Sequence, residues 1–144
     1  MHFTSKHKGN IALAHALSYF SEKGYYLFLP VGDNGGSIDL AVSEDGTNLQ
    51  RVQCKYTSRR HDSMLKRYPE HPVWEVEMRQ VGRHERDGHL IAEMIYSENS
   101  FDLLFVSTPG GDYLIEWKPF CQELVGRIPH VIRLGKNAEK YRVT

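Results

Sequence analysis

The sequence lacks the features that mark several common protein classes. Its longest apolar run, residues 25–30, is far shorter than the ~20 residues that a membrane span needs, and its first residues lack the apolar stretch of a secretory signal. Only two cysteines occur, too few for a disulfide framework, and the eight histidines are scattered without a zinc-binding spacing. These absences predict a cytoplasmic protein with reduced, packed thiols and no membrane association.

The chain also has no excess of one charge. Its 18 basic residues balance 18 acidic ones, which disfavours a protein that coats nucleic acid by neutralising many phosphates. The distribution is uneven, however, because residues 51–67 are rich in arginine and lysine and contain Asp62 as their only acidic residue. One positively charged face is therefore expected.

A length of 144 residues, without repeats or a linker, suits a single domain over residues 1–144. Helical periodicity and Gly24 as a C-terminal cap predict a helix over residues 9–23. Strands are predicted over residues 25–29, 37–43, 49–56, 73–81, 101–107, 113–117 and 131–134, a loop over residues 57–72, and short helices over residues 89–98 and 119–124. This order predicts an α/β fold with a mixed β-sheet flanked by helices.

Polar residues on two neighbouring strands carry the clearest chemical information. Asp45-Gly46 predicts a hairpin between the strand that contains Asp39 and the strand that contains Val52-Gln53-Cys54-Lys55. Because side chains alternate along a strand, Gln53 and Lys55 point the same way, and Asp39 can share their face. A carboxylate, an amide and an ammonium then converge at one edge of the sheet.

Hydrolysis of a phosphodiester needs such a set of groups. Mg²⁺, or Mn²⁺ as an alternative, prefers oxygen ligands, and both a metal-activated water and charge neutralisation favour the reaction. Asp39 is the predicted anionic ligand, Gln53 supplies its amide oxygen or holds a ligand water, and the backbone carbonyl of Cys54 completes the metal site. Lys55 is predicted to orient the attacking water or to stabilise charge on the phosphate. A purely structural role for each residue is the alternative.

An ordered series of features resembles a known family. It comprises Lys8-Gly9 before a helix, Gly24-Tyr25, Leu29-Pro30, Ile38-Asp39-Leu40, Asp45-Gly46 and Val52-Gln53-Cys54-Lys55, followed by residues 101–106 and 111–115 and by Leu134-Gly135 and Lys140-Tyr141. This series is similar to group I intron-encoded homing endonucleases of the PD-(D/E)XK superfamily. In that subgroup a glutamine often replaces the acidic residue at the position of Gln53.

The resemblance implies a PD-(D/E)XK core and a Mg²⁺-dependent endonuclease that cuts double-stranded DNA at a long, partly symmetric site. A homodimer or homotetramer follows, because a domain of this size does not cover such a site alone. One position departs from the family: Leu13 stands where a helix glutamate is usual. This leucine is the reason to keep a DNA-binding module that has lost cleavage as an alternative. A Holliday-junction resolvase and a small restriction enzyme, which share the catalytic reasoning, and an interaction domain that uses the fold as a scaffold are further alternatives.

Basic residues outside the catalytic set are candidates for DNA contact. Lys8 lies at the start of the first helix, where backbone N–H groups attract anions. The remaining candidates are Arg59, Arg60, Lys66, Arg67, Arg79 and Arg83. Solvated surface positions are the alternative for each of them.

Overall fold

A computed structural model describes residues 5–31, 38–61, 72–81, 93–124 and 129–144 of the chain. Its helices are α1 (Ser5–Glu22) and α2 (Trp117–Glu123), and a 3-10 helix covers Lys136–Tyr141. Its strands are β1 (Tyr26–Phe28), β2 (Leu40–Ser43), β3 (Gln50–Tyr56), β4 (Trp74–Glu77), β5 (Arg79–Val81), β6 (Glu93–Ile95), β7 (Leu103–Thr108), β8 (Gly111–Glu116) and β9 (Val131–Leu134).

A five-stranded mixed sheet organises the molecule, in the order β1-β2-β3-β7-β8. Neighbouring strands are antiparallel except β3 and β7, which run parallel. The turn between β2 and β3 contains Gly46 at φ 82°, a left-handed conformation that glycine adopts without steric cost. The predicted α/β class with a mixed sheet is confirmed.

Each face of this sheet carries its own hydrophobic core. On one face, Ala12, Ala16 and Phe20 of α1 pack against alternate residues of β2, β3 and β7. The other face packs against β4, β9 and α2 through a second cluster that includes the fully buried Trp117. The alternation of β3 therefore places Cys54 beneath α1 and turns Gln53 and Lys55 towards the β4–β9 side.

The structure differs from the sequence predictions mainly in the second half of the chain. The strand predicted over residues 73–81 is two strands, because the chain leaves the β4–β9 pair at Met78 and then pairs β5 with β6. The helix predicted over residues 89–98 is wrong, since Glu93–Ile95 is the strand β6. Short apolar segments fit either structure, and a non-local pairing decided this one.

Helix ends differ by smaller amounts. Helix α1 begins at Ser5, four residues before the predicted start, because its first turn is polar and carries no periodic apolar signal. Helix α2 begins at Trp117 and contains Pro119 in its first turn, where a backbone N–H has no partner within the helix. No helix within the described ranges is long and apolar enough to cross a membrane.

Candidate active site

A cleft of about 910 Å³ lies where the start of α1, the second half of β3 and the β4–β9 pair meet. Strand β3 contributes Gln53, Cys54 and Lys55 to its lining, and Asp39 lies beside them. Lys8, Gly9, Asn10 and Leu13 come from α1, and Glu75, Glu77, Val131 and Arg133 come from β4 and β9. The three side chains that the hairpin pattern predicted to converge thus share this cleft.

Hydrogen bonds fix Asp39 against β3. The Asp39 N–H donates to the Val52 carbonyl at 2.9 Å, which holds the residue just before the start of β2. Its Oδ2 atom accepts two hydrogen bonds, one from Gln53 Nε2 at 2.9 Å and one from the Cys54 N–H at 2.8 Å. The neighbouring strand therefore holds the Asp39 carboxylate through its Oδ2 atom.

Burial opposes the charge on both Asp39 and Lys55. Desolvation raises the pKa of Asp39, although the Cys54 N–H and the Lys55 ammonium lower it in part. Desolvation likewise lowers the pKa of Lys55, and the carboxylates of Asp39 and Glu77 counteract the shift. The Lys55 Nζ atom also lies 5.2 Å from the centroid of the buried Tyr96 ring. Paired charges in partial burial are typical of functional sites.

Gln53 has one polar atom without a partner. Its Nε2 atom donates to Asp39 and, at 3.2 Å, to the Cys54 carbonyl, whereas its buried Oε1 atom has no hydrogen-bond partner among the described residues. An unpaired buried acceptor costs about 1–3 kcal/mol. The same side chain contacts the Asp39 carboxylate through Nε2, so an acceptor without a partner belongs to a residue of the cleft.

Comparison with known proteins identifies the family. A sequence model described as PD-(D/E)XK endonuclease matches residues 3–115, a range that includes Asp39, Gln53 and Lys55. The chain belongs to this family. It is therefore an endonuclease with DNA as the substrate that the family implies, and the family resemblance predicted from the sequence is confirmed.

The solved structures agree with the fold of this nuclease. The structure of the bacterial homing endonuclease I-Ssp6803I superposes with a TM-score of 0.69 at 22% sequence identity, over 99% of this chain and 85% of that one. No curated protein sequence matches the chain. At this identity the likeness concerns the fold, and it extends over nearly the whole nuclease.

The donor atoms of the nuclease fit the divalent metal ion that members of the family generally use. The Asp39 carboxylate, the orphaned Gln53 Oε1 and the Cys54 carbonyl are all hard oxygen donors of the kind that Mg²⁺ prefers. In the described part of the chain, no group of three or more His, Cys, Asp or Glu side chains is placed to hold a metal. A site here therefore depends on neutral oxygens as well as on one carboxylate.

The helix that borders the cleft offers no further carboxylate. Leu13 lines the cleft and packs partly against the α1 core, at the position where the family resemblance leads one to expect glutamate. Glu77 of β4 lines the same cleft and acts on the Lys55 charge. The strand predicted over residues 73–81 contains Glu75 and Glu77, but its local pattern gave no sign that it borders the site.

Two of the predicted DNA-binding residues of the nuclease line the cleft, and the others lie elsewhere or outside the described residues. Lys8 and Arg59 line the cleft, whereas the Arg60 guanidinium lies 5.3 Å from the centroid of the Trp74 ring. Arg79 lies in β5 with its side chain outside the described part. Lys66, Arg67 and Arg83 lie outside the described residues altogether.

One cationic residue of the cleft was missed. Arg133 lies in β9, some 80 positions after Lys55, and no local pattern connects it with the site. Its neighbour across the β4–β9 pair is Glu75, a register that only the folded chain reveals. Cys54 is unsuited to act as a nucleophile, because it is buried and desolvation raises its thiol pKa.

Proposed function

We propose that this PD-(D/E)XK nuclease is a metal-dependent, site-specific endonuclease that hydrolyses phosphodiester bonds in double-stranded DNA. One observation carries the proposal: Asp39, Gln53, Cys54 and Lys55 line one cleft, where the Gln53 amide N–H₂ links the Asp39 carboxylate to the Cys54 carbonyl and leaves the Gln53 Oε1 atom without a partner among the described residues. Mg²⁺ fits these donors best, and Mn²⁺ is the alternative.

The residues of the cleft divide the chemistry among them. A bound divalent ion supplies a Lewis acid that lowers the pKa of a water ligand and offsets charge on the phosphate. Asp39 would hold the cation through its carboxylate, whose Oδ2 atom also accepts hydrogen bonds from Gln53 Nε2 and the Cys54 N–H. Gln53 contributes its amide oxygen, and Cys54 contributes its backbone carbonyl.

Lys55 acts on the phosphate side of the site. Its partial burial strengthens every electrostatic interaction that it makes, because less water screens the charge. Its ammonium orients the attacking water or stabilises the charge that develops on the phosphoryl oxygens. The neighbouring carboxylates of Asp39 and Glu77 favour the charged form that this role needs.

A homing-type activity fits the chain best among site-specific nucleases. The fold shared with a homing endonuclease and the glutamine at position 53 support it. A long, partly symmetric target then requires a homodimer or a homotetramer, because one domain of 144 residues reaches only part of such a site. An intron-encoded origin and a cytoplasmic location belong to the same proposal.

A cleavage assay tests the proposal directly. The purified protein is incubated with a library of duplex DNA in Mg²⁺ and in EDTA, alongside Asp39→Ala and Lys55→Ala. Lys118→Ala and Glu123→Ala, both exposed on α2, are the matched controls. We expect discrete, metal-dependent cuts in the wild type and the controls, and a loss of at least about 100-fold in both cleft variants.

Other results would favour the alternatives. Leu13 in the cleft is the observation that favours a DNA-binding module without cleavage, and tight duplex binding without cuts in Mg²⁺ or Mn²⁺ would support that function. Cuts confined to four-way junctions would support a resolvase. Cleavage that survives in Asp39→Ala and Lys55→Ala would contradict the proposed site.

A further inference from the structure

From the geometry of the β4–β9 side of the cleft, we infer that Arg59 and Arg133 form a paired phosphate-binding site. This inference rests on the proposed function, since it assigns the pair to the DNA backbone beside the phosphate that is cut. Both arginines line the same cleft as Asp39 and Lys55. Arg133 is a new candidate, and Arg59 gains a specific partner and role.

Glu75 brings the two arginines together. Its Oε2 atom lies 3.3 Å from Arg59 Nε, and its Oε1 atom lies 3.5 Å from Arg133 Nε. His61 Nδ1 is 2.8 Å from the same Oε1 atom. One carboxylate thus gathers two permanent cations and one titratable side chain, so the cluster carries a net positive charge at every pH where the carboxylate is ionised.

Backbone hydrogen bonds hold this cluster in place. The Glu75 N–H donates to the Arg59 carbonyl at 2.9 Å, and the His61 N–H donates to the Val73 carbonyl at the same distance. Thr57 ties the segment down from its other end, because its hydroxyl donates to the Glu75 carbonyl and accepts from the Arg59 N–H. Arg133 lies directly across from Glu75 in the β4–β9 register.

Side-chain exposure distinguishes the carboxylate of the cluster from its two arginines. Glu75 is only 15% exposed, whereas Arg59 and Arg133 are 76% and 59% exposed. Ion pairs with such exposed arginines contribute about 0–1 kcal/mol to stability, so stability alone gives little reason for two of them here. The guanidiniums of Arg59 and Arg133 form ion pairs with Glu75 through Nε, and each has four further N–H donors on its terminal nitrogens.

Those donors match the oxygens of a phosphodiester. Planar guanidinium groups bind phosphate through two parallel hydrogen bonds, and they release less hydration than an ammonium when they do so. A phosphate that approaches this cluster meets two preoriented arginines and a surplus of positive charge. The pair therefore positions one strand of the duplex, and it carries no information about base sequence.

The experiment measures DNA binding apart from cleavage. A labelled 30-base-pair duplex of arbitrary sequence is titrated in EDTA at several salt concentrations with the wild type, Arg59→Ala, Arg133→Ala and the double variant. Arg51→Ala is the matched control, because Arg51 is also held through Nε by a carboxylate, that of Asp102, but does not line the cleft. Thermal unfolding of each variant verifies that it folds.

We expect each single variant to bind roughly tenfold more weakly and to lower the slope of log K against log salt by about 1, with the two losses adding in the double variant. Arg51→Ala keeps the wild-type affinity and slope. The double variant with Arg59→Lys and Arg133→Lys is expected to keep the wild-type slope and to lose part of the affinity. This variant separates the contribution of positive charge from that of the paired guanidinium hydrogen bonds.

Two results would overturn the inference. If the arginine variants fold and bind with the wild-type slope while the wild type cuts DNA in Mg²⁺, the pair is structural and the proposed function stands. If the wild type neither binds the duplex nor cuts the library, the inference and the proposed function fail together. An alanine variant that unfolds is replaced by the lysine and glutamine variants at the same position.

Discussion

Asp39 and Asp45 lie at opposite ends of β2 and experience opposite environments. Burial raises the pKa of Asp39, because the ionised carboxylate loses hydration that its hydrogen bonds only partly replace. Asp45 is exposed in the turn that follows β2, and hydrogen bonds from Asn48, Thr47 and Ser43 hold its pKa below its ordinary value. The same residue type thus opposes folding at one position and supports it at the other.

We predict that Asp39→Asn abolishes cleavage and leaves the protein at least as stable as the wild type at pH 7. The folded state binds the Asp39 proton more tightly than the unfolded state does, so the stability contributed by this carboxyl falls as pH rises from 3.8 through the folded pKa. At pH values above the folded pKa of Asp39, the free energy of unfolding of Asp39→Asn therefore rises relative to that of the wild type. Below pH 3.8 the two proteins are expected to be equally stable.

Urea unfolding at pH 3.5 and pH 7 measures this difference. Asp45→Asn is the control of opposite sign, because a lowered pKa supplies stability above pH 3.8 that the amide cannot supply. It is expected to be less stable than the wild type at pH 7 and to cut DNA normally. A large loss of stability in Asp39→Asn at pH 7 would contradict the desolvation argument.

Leu13 offers a test of the missing carboxylate. We predict that Leu13→Glu lowers the Mg²⁺ concentration needed for half-maximal cleavage, because a second carboxylate beside Asp39 strengthens the attraction for the cation. Leu17→Glu is the matched control, since Leu17 also packs partly against the α1 core but does not line the cleft.

Both substitutions lose apolar contacts, and each is expected to reduce the unfolding free energy by roughly 1–3 kcal/mol. Metal titrations of cleavage, made well below the unfolding temperature, separate this common loss from the metal effect. An equal change in the Mg²⁺ requirement of both variants would show that position 13 has no special place in the site.

At the scale of elements, the packing of α1 on the sheet fixes one wall of the cleft. Ala16 is fully buried against the sheet, whereas Ala14 faces solvent on the same helix. We predict that Ala16→Leu lowers the unfolding free energy by about 1–3 kcal/mol, because the added carbons overfill a packed core. It should also reduce cleavage, since the helix that carries Lys8 and Leu13 is displaced.

Ala14→Leu serves as its control. The same substitution is made at an exposed position of the helix, and alanine and leucine are both strong helix formers. The unfolding free energy is therefore expected to change by no more than about 0.5 kcal/mol. Thermal unfolding and a cleavage time course measure both variants. If the two leucine variants behave alike, close packing of α1 does not determine the geometry of the cleft.

Local patterns predicted the pairing of strands that are neighbours in sequence better than the pairing of strands that are far apart in sequence. Strands β2 and β3 are joined by a glycine turn, so their pairing follows from neighbouring residues, and the contact of Asp39 with Gln53 follows from that register. Strands β4 and β9 are some 55 residues apart in sequence, so their pairing leaves no local trace. The strand β6 was taken for a helix because its short apolar segment fits either structure, and its pairing with β5 decided the outcome.

At the scale of the whole molecule, the described residues of a chain of zero formal charge bring Asp39, Gln53 and Lys55 together in one candidate cleft. A single cleft cuts one strand at a time, and a break through both strands of a symmetric site needs two clefts related by a two-fold axis. We predict that sedimentation of the protein on a duplex that it cuts gives two or four chains per DNA molecule. Lys55→Ala should give the same stoichiometry without cleavage.

A complex of one chain per duplex that still makes double-strand breaks would contradict this prediction. The stoichiometry is measured with the Lys55→Ala protein in Mg²⁺, so that the DNA stays intact, and double-strand breaks are measured with the wild type. An unrelated duplex of equal length is the control for binding that depends on charge alone, and we expect it to lose bound protein first as salt is raised.

The sequence alone determined the fold class, the family, and the convergence of Asp39, Gln53 and Lys55, because period-2 alternation and a tight turn act within a few residues. Only the tertiary structure decided the second wall of the cleft, where Glu75 holds Arg59 and Arg133. That wall depends on strands that meet from distant parts of the chain. Such pairings are set by how buried surfaces fit together, and no local pattern of residues encodes them.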